Sequence, residues 1–165
     1  MTFINSEGKF NENSYLIDGL IFRLPKQLAV YVIENKGIRL MIDTGVQLAA
    51  RKIIAKLKEF GLFPIDKLIL THSHWDHVQG FSKLRKAMGD FEVLASENAI
   101  DNLKYPEKLN EIFGYNVEPI EGVTPVKEGE IIEVTIRIKN NDNETAYDVY
   151  LQDNNLLRYY NKSVE

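Results

Sequence analysis

A chain of 165 residues, 44% hydrophobic and 27% charged, has the length and composition of one globular domain with a real core. It holds no cysteine, which excludes a disulfide framework, a thiolate metal site and a cysteine nucleophile. Its net charge of −4 at pH 7 provides no overall basic field for nucleic acid or an anionic membrane, and its apolar runs are too short to span a bilayer.

The N-terminal stretch MTFINSEGKFNENSY lacks a basic segment followed by an apolar one, so no secretory leader is expected and the chain reads as soluble and cytoplasmic. No repeat, low-complexity tract or linker divides it, so residues 1–165 are expected to form a single domain. SYLIDG and LAVYVIEN are short β-rich runs, and KGIRLMIDTG is a further strand entered through a turn at Asn35 to Gly37 and ending at Thr44-Gly45. These predict an antiparallel meander. In VQLAARKIIAKLKEFG the period changes, with Leu48, Ile53, Ile54, Leu57 and Phe60 on one helical face and Gly61 as the residue that ends the helix.

DKLILTH is an apolar strand with little alternation, as expected when both faces are buried. DHVQGFSKLRKAMG reads as a second helix closed by Gly89, FEVLAS as a strand, and SENAIDNLK as the start of a helix capped by Ser96. Strand and helix thus alternate from Val46 to about Lys104, which calls for a sheet covered by helices. The remainder, GEIIEVTIRIKNNDNETAYDVYLQDNNLLRYY, returns to β structure with Asn/Asp-rich turns.

All three histidines of the chain, His72, His74 and His77, fall in one six-residue window that also holds Asp76. The strand before them ends at Thr71, so His72 and His74 lie in a loop at its C-terminal end. Extended residues two apart point the same way, so both imidazoles can face one ion. Asp76 and His77 fall on the first turn of the next helix and point to a neighbouring spot. Nitrogen and carboxylate donors without sulfur suit Zn²⁺, Fe or Mn. A merely solvated polar loop is the competing reading, and the concentration of every imidazole in one hexapeptide weighs against it. Trp75 either walls this site or packs beneath the loop, and packing is the favoured expectation.

His72-Ser73-His74-Trp75-Asp76-His77 resembles the H-x-H-x-D-H motif of the metallo-β-lactamase superfamily. The strand KLILT before it and the strand LMIDTG further upstream look like the family's own, and the likeness runs in order from about Asn13 to Val134. It implies an α/β fold of the αββα sandwich type with a metal site at one edge. It also implies that His72 and His74 bind a first metal, that Asp76 and His77 bind a second, and that a bridging hydroxide is the nucleophile. By the same resemblance Asp76 orients that hydroxide or hands a proton to the leaving group. Asp43 becomes a carboxylate that orients the metal-binding loop; local chemistry alone reads it as a turn residue. Gln79 stands where family members often have the first glycine of a pair, and Gly80 matches the second.

The family normally supplies a later histidine and a bridging Asp, and this chain has no histidine after His77. Aligning NDNETAYDVYLQDNNLL on that segment puts Glu144 in the histidine's place, beside Thr145. Either the chain is a C-terminally shortened form, or it is a member with Glu144 or Asp142 as substitute oxygen ligands. Solvated turn residues are the plainer reading of both. Arg137, Lys139 and Arg158 are candidate anchors for an anionic substrate, with ordinary solvated surface charge the much plainer reading of all three.

The expectation is a metal-dependent hydrolase with one or two zinc ions, or Fe or Mn, acting on an ester, thioester, amide or phosphodiester of a small molecule. Nucleic acid and membrane are not expected partners. A catalytically impaired or non-catalytic metal-binding domain of the same fold is the alternative, and a di-iron oxygen or electron-transfer module is a third.

Overall fold

The computed structural model describes residues 6–127, together with two short strands at Ile132–Glu133 and Tyr150–Leu151. Glu144, Asp142, Thr145, Arg137, Lys139 and Arg158 lie outside the described residues.

Alternation of apolar and polar side chains sets up the first part of the sheet. Strands β1 (Gly8–Asn11), β2 (Ser14–Asp18), β3 (Ala29–Asn35) and β4 (Ile38–Ile42) form an antiparallel meander. Lys36 and Gly37 make the β3–β4 turn, both with positive φ (50° and 88°). That is the twist a two-residue hairpin demands, and Asn35 pairs with Ile38 across it.

From β4 onward the pairing becomes parallel, through β5 (Lys67–Leu70), β6 (Glu92–Ser96) and β7 (Val123–Val126). The seven strands lie in sequence order. Parallel neighbours need crossovers. Helix α1 (Ala50–Glu59) joins β4 to β5. Helices α2 (Trp75–Val78) and α3 (Phe81–Met88) join β5 to β6, and α4 (Ile100–Lys104) and α5 (Glu107–Phe113) join β6 to β7. Residues of α1, α3 and α4 share one core cluster with a single face of the strands, as right-handed crossovers that advance one strand at a time require.

That face carries the core. Ile17, Val30, Val32, Met41, Leu68, Leu70, Val93 and Ala95 of the strands are buried with Ile53 and Leu57 of α1, Leu84 of α3 and Leu103 of α4. The opposite face is also apolar. Leu16, Tyr31, Ile42, Ile69 and Leu94 stand in register across β2 to β6. A sheet apolar on both faces, with helices on one, is the first half of an αββα sandwich. Strands β8 (Ile132–Glu133) and β9 (Tyr150–Leu151) pair antiparallel as a separate sheet. Among the described residues, no helix is long and apolar enough to cross a membrane.

Three local expectations change. Helix α1 begins at Ala50, and Leu48 is 73% exposed; the preceding turn buries Val46 and Ala49 instead. The helix expected from DHVQGFSKLRKAMG is two helices, α2 and α3. Gly80 between them donates its N–H to Gly45 O at 2.9 Å, and that bond across the chain replaces the regular one within a helix. The segment opened by Ser96 begins as one 3₁₀ turn, Glu97–Ala99, before α4, with the Ser96 hydroxyl accepting from Asn98 N–H. Strands β1 and β7 and helix α5 go beyond the elements that the sequence predicts. No residue of α5 is buried, so no apolar period marked it.

Candidate metal centre

Parallel pairing of β4 and β5 brings their C-terminal ends together, with Ile42 opposite Ile69. Asp43 follows β4 and Thr71 follows β5, so the register alone makes them neighbours. Asp43 is 4% exposed and takes a left-handed φ of 62°. The turn sends its N–H to Ile69 O at 2.8 Å and its carboxylate toward the histidine loop. A non-glycine residue held this way is costly and persists only where its surroundings fix it.

The surroundings here are hydrogen bonds. Asp43 Oδ1 accepts from Thr71 N–H at 2.8 Å. The Thr71 hydroxyl lies 3.0 Å from Oδ1 and 2.8 Å from Oδ2. His77 Nδ1 meets Oδ2 at 2.7 Å, and His72 Nδ1 meets the Thr71 hydroxyl at 2.9 Å.

Counting protons assigns the tautomers. The carboxylate only accepts, so His77 carries its proton on Nδ1, and the single hydroxyl proton of Thr71 goes to Asp43. The Thr71 oxygen can then only accept from His72, whose proton is therefore also on Nδ1. One buried carboxylate thus leaves Nε2 bare on two imidazoles, directly on His77 and through Thr71 on His72. Anchoring one ring nitrogen so that the other can bind a metal is the usual arrangement around metal-ligating histidines.

His72, His74 and His77 are drawn together. The ring centroids of His72 and His74 are 4.6 Å apart, and those of His72 and His77 are 4.0 Å apart. His72 and His74 lie in the loop after β5, and Asp76 and His77 lie in α2. Asp76 Oδ2 is 3.5 Å from His77 Nε2. Burial lowers the His72 pKa below 6.5, and the neighbouring charges of His77 and His74 lower it further. Burial acts in the same direction on His77, but the Asp43 hydrogen bond and the charges of Asp43 and Asp76 outweigh it and raise that pKa.

The α2–α3 junction ties this loop to the β4 end. Thr44 N–H and its hydroxyl both donate to His77 O, at 2.7 and 2.9 Å. Gln79 accepts from Gln47 N–H and donates to Asn116 O, both at 3.1 Å. The residue that departs from the glycine pattern therefore staples two loops. Trp75 is partly buried against the core and stacks on Tyr115 with centroids 4.7 Å apart.

The donors fit a borderline transition metal in kind: imidazole nitrogens with their opposite nitrogens anchored, one carboxylate and no sulfur. Among the described residues, no group of three or more His, Asp or Glu donors is gathered closely enough to hold an ion. Thr71 joins this network although no motif marks it. Its position directly before the first histidine and one strand away from Asp43 was the available signal.

The model of the metallo-beta-lactamase superfamily matches residues 24–139. Among curated proteins the chain is similar to exodeoxyribonuclease WalJ of Streptococcus pneumoniae, 31% identical over 85 residues, or 48% of this chain and 30% of that one. It is similar to ribonuclease Z of Clostridioides difficile, 28% identical over 100 residues, covering 57% and 32%. It is also similar to an octanoyltransferase of Porphyromonas gingivalis, 29% identical over 93 residues, covering 55% and 18%. The chain thus spans no more than about a third of the length of these relatives.

Among solved structures, the class B3 di-zinc metallo-beta-lactamase LRA-12 from an Alaskan soil metagenome superposes with a TM-score of 0.65 at 19% identity, over 90% of this chain and 58% of that one. The FEZ-1 metallo-beta-lactamase of Legionella gormanii gives 0.60 at 15% identity, over 88% and 60%. At such identities the likeness is one of fold.

Proposed function

The chain belongs to the metallo-beta-lactamase superfamily, and from that premise we propose that it is a metal-dependent hydrolase of a small-molecule ester, thioester, amide or phosphodiester. The observation that carries this reading is the shared control of two imidazoles by Asp43, which anchors Nδ1 of both neutral rings and leaves their Nε2 atoms for a metal. His72, His74, Asp76 and His77 would hold the metal, zinc in the first instance, with iron or manganese as the other candidates. When bound, such a metal polarises a carbonyl or phosphoryl oxygen and lowers the pKa of coordinated water.

The chain's own residues do the rest. Asp43 and Thr71 fix the tautomers and ring orientations. Asp76, half-buried beside His77 Nε2, is the carboxylate placed to take up or hand on a proton at Oδ2. The net charge of −4 favours a small substrate over a polynucleotide, although two of the relatives are nucleases by name.

A second reading has its own observation. Among the described residues no three donors converge closely enough to hold an ion, whereas a catalytic zinc usually keeps three protein ligands. That favours one weakly held metal and slow turnover, or a metal-binding domain that does no chemistry. Turnover tests the choice. Protein loaded in turn with zinc, iron and manganese is assayed on thioester and phosphodiester substrates, with Asp76→Asn alongside. Metal-dependent hydrolysis that falls at least tenfold in Asp76→Asn is the outcome expected of the hydrolase; hydrolysis absent with every metal leaves the non-catalytic domain.

A further inference from the structure

The layer of helices over the sheet carries its charges unevenly. Helix α1 packs on α3, and together they hold seven Lys or Arg and a single Glu. On the far side of α3, the Ser82 hydroxyl donates to Glu118, and Ile120 N–H donates to Leu103 O of α4 at 2.8 Å. That side, residues 97–121, holds six carboxylates and two lysines. One layer therefore has a basic half and an acidic half, divided near α3.

Part of this charge is balanced within the chain. Lys52 and Lys56 pair with Glu7, and Arg85 pairs with Asp90. Arg51, Lys83 and Lys86 are exposed and, among the described residues, make no ion pair. Exposed Glu97, Glu107 and Glu111 make none there either. Like charges gathered in this way repel one another, and a surface of opposite sign laid against them relieves the repulsion.

The topology sets the level of each charge. Every crossover helix starts at the C-terminal end of one strand and runs back to the start of the next, so α1, α3 and α4 descend together. Arg51 and Asp101 stand in the first turns of α1 and α4, at the level of the histidine loop. Lys58 at the end of α1 and Glu121 just before β7 stand at the opposite level. A two-fold axis lying in this face, parallel to the strands, keeps every level and exchanges the two halves. It lays α1 of one copy on α4 of another, with Arg51 toward Asp101 and Lys58 toward Glu121, twice over. The apolar parts match as well. Ala55 shares a helix face with Arg51 and Lys58 and is exposed, leaving a low place for Tyr105, which follows α4 and is 58% exposed.

We infer that this helical face is the interface of a homodimer, in which the basic half of each copy lies on the acidic half of the other. A polyanion would use the basic half alone, and a basic protein the acidic half alone. A second copy uses both, and a closed two-fold pair is the commonest way for a chain to meet itself. The interface needs no metal and does not depend on the hydrolase reading.

Sedimentation velocity of the metal-free full chain tests it. A dimer is expected at about 100 μM chain in about 0.05 M salt, and about 0.5 M salt should return it to monomer. Arg51→Glu/Lys58→Glu makes both halves acidic, and Asp101→Lys/Glu121→Lys makes both basic. Each variant alone should associate at least tenfold more weakly, and their equimolar mixture should restore the dimer, because each then meets opposite charge on both halves. Circular dichroism checks that both are folded; should either fail to fold, the concentration and salt dependence of the native chain decides. A native chain that stays monomeric, a dimer indifferent to salt or to both pairs of substitutions, or a mixture of folded variants that stays monomeric would each overturn the inference. So would a single-stranded oligothymidylate that dissolves the native dimer and no longer binds Arg51→Glu/Lys58→Glu, which would give the basic half to a polyanion.

Discussion

Asp43 controls the histidine loop, and Thr71 carries half of that control. Removing the hydroxyl while keeping the β-branched shape, in Thr71→Val, leaves His72 Nδ1 without its acceptor and frees the ring to change tautomer. Outer partners of this kind are typically worth about 10–100-fold in metal affinity. Zinc affinity of Thr71→Val should fall by about that much with the circular dichroism spectrum unchanged; unchanged affinity would mean that Thr71 is only a strand-end residue. The same network sets the order of proton loss. In the metal-free chain, NMR titration should find His72 deprotonating below 6.5 and His77 above it. The sign for stability follows. A raised folded pKa means that the His77 contribution is fully present below about 6.5 and is lost as the pH climbs through the raised value. The His72 contribution runs the other way, present above about 6.5 and lost as the pH falls through its lowered value. Asp43→Asn removes the charge behind His77, so His77 should then titrate lower, and its stability deficit against the parent should be larger at acid pH than at alkaline pH.

At the scale of elements, the sequence was most legible where one residue type could mean only one thing. The Lys36-Gly37 turn, the apolar strand before Thr71, and the placing of His72 and His74 in a loop with Asp76 and His77 on the following helix were all readable from pattern. What could not be read depended on contacts between distant segments. Leu48 fits the helical face of α1 by spacing, yet the turn before Ala50 leaves it in water. Gly80 looked like half of a glycine pair, and its role is set by the β4 end: a Cβ there would lie 2.5 Å from Thr44 O. Thr44 O belongs to a backbone already fixed by two bonds to His77 O, so it cannot yield cheaply. Gly80→Ala should therefore destabilise the fold by about 1–3 kcal/mol, the usual cost of overpacking. Chemical denaturation measures this, and a change below about 0.5 kcal/mol would show that the junction has slack. The ring contacts of Phe22 and Tyr115 with Trp75 were invisible in the sequence, because the three become neighbours only through the fold.

At the scale of the molecule, a seven-stranded sheet with helices on one face and apolar side chains on the other presents one edge where β4 and β5 end, and the candidate centre sits at that edge. The family and the fold were legible because the histidine motif and the Asp-Thr-Gly strand end are local and ordered. The completeness of the centre was not, because any further donor would have to come from residues distant in the chain. On the proposed reading His72, His74, Asp76 and His77, held in place by Asp43 and Thr71, form a metal site. Equilibrium dialysis against zinc, followed by elemental analysis of the native chain and of His72→Ala/His74→Ala, tests it most directly. At most one zinc per native chain is expected, with loss of most of it in the double variant; equal zinc in the two proteins would mean that the histidine loop is not the site.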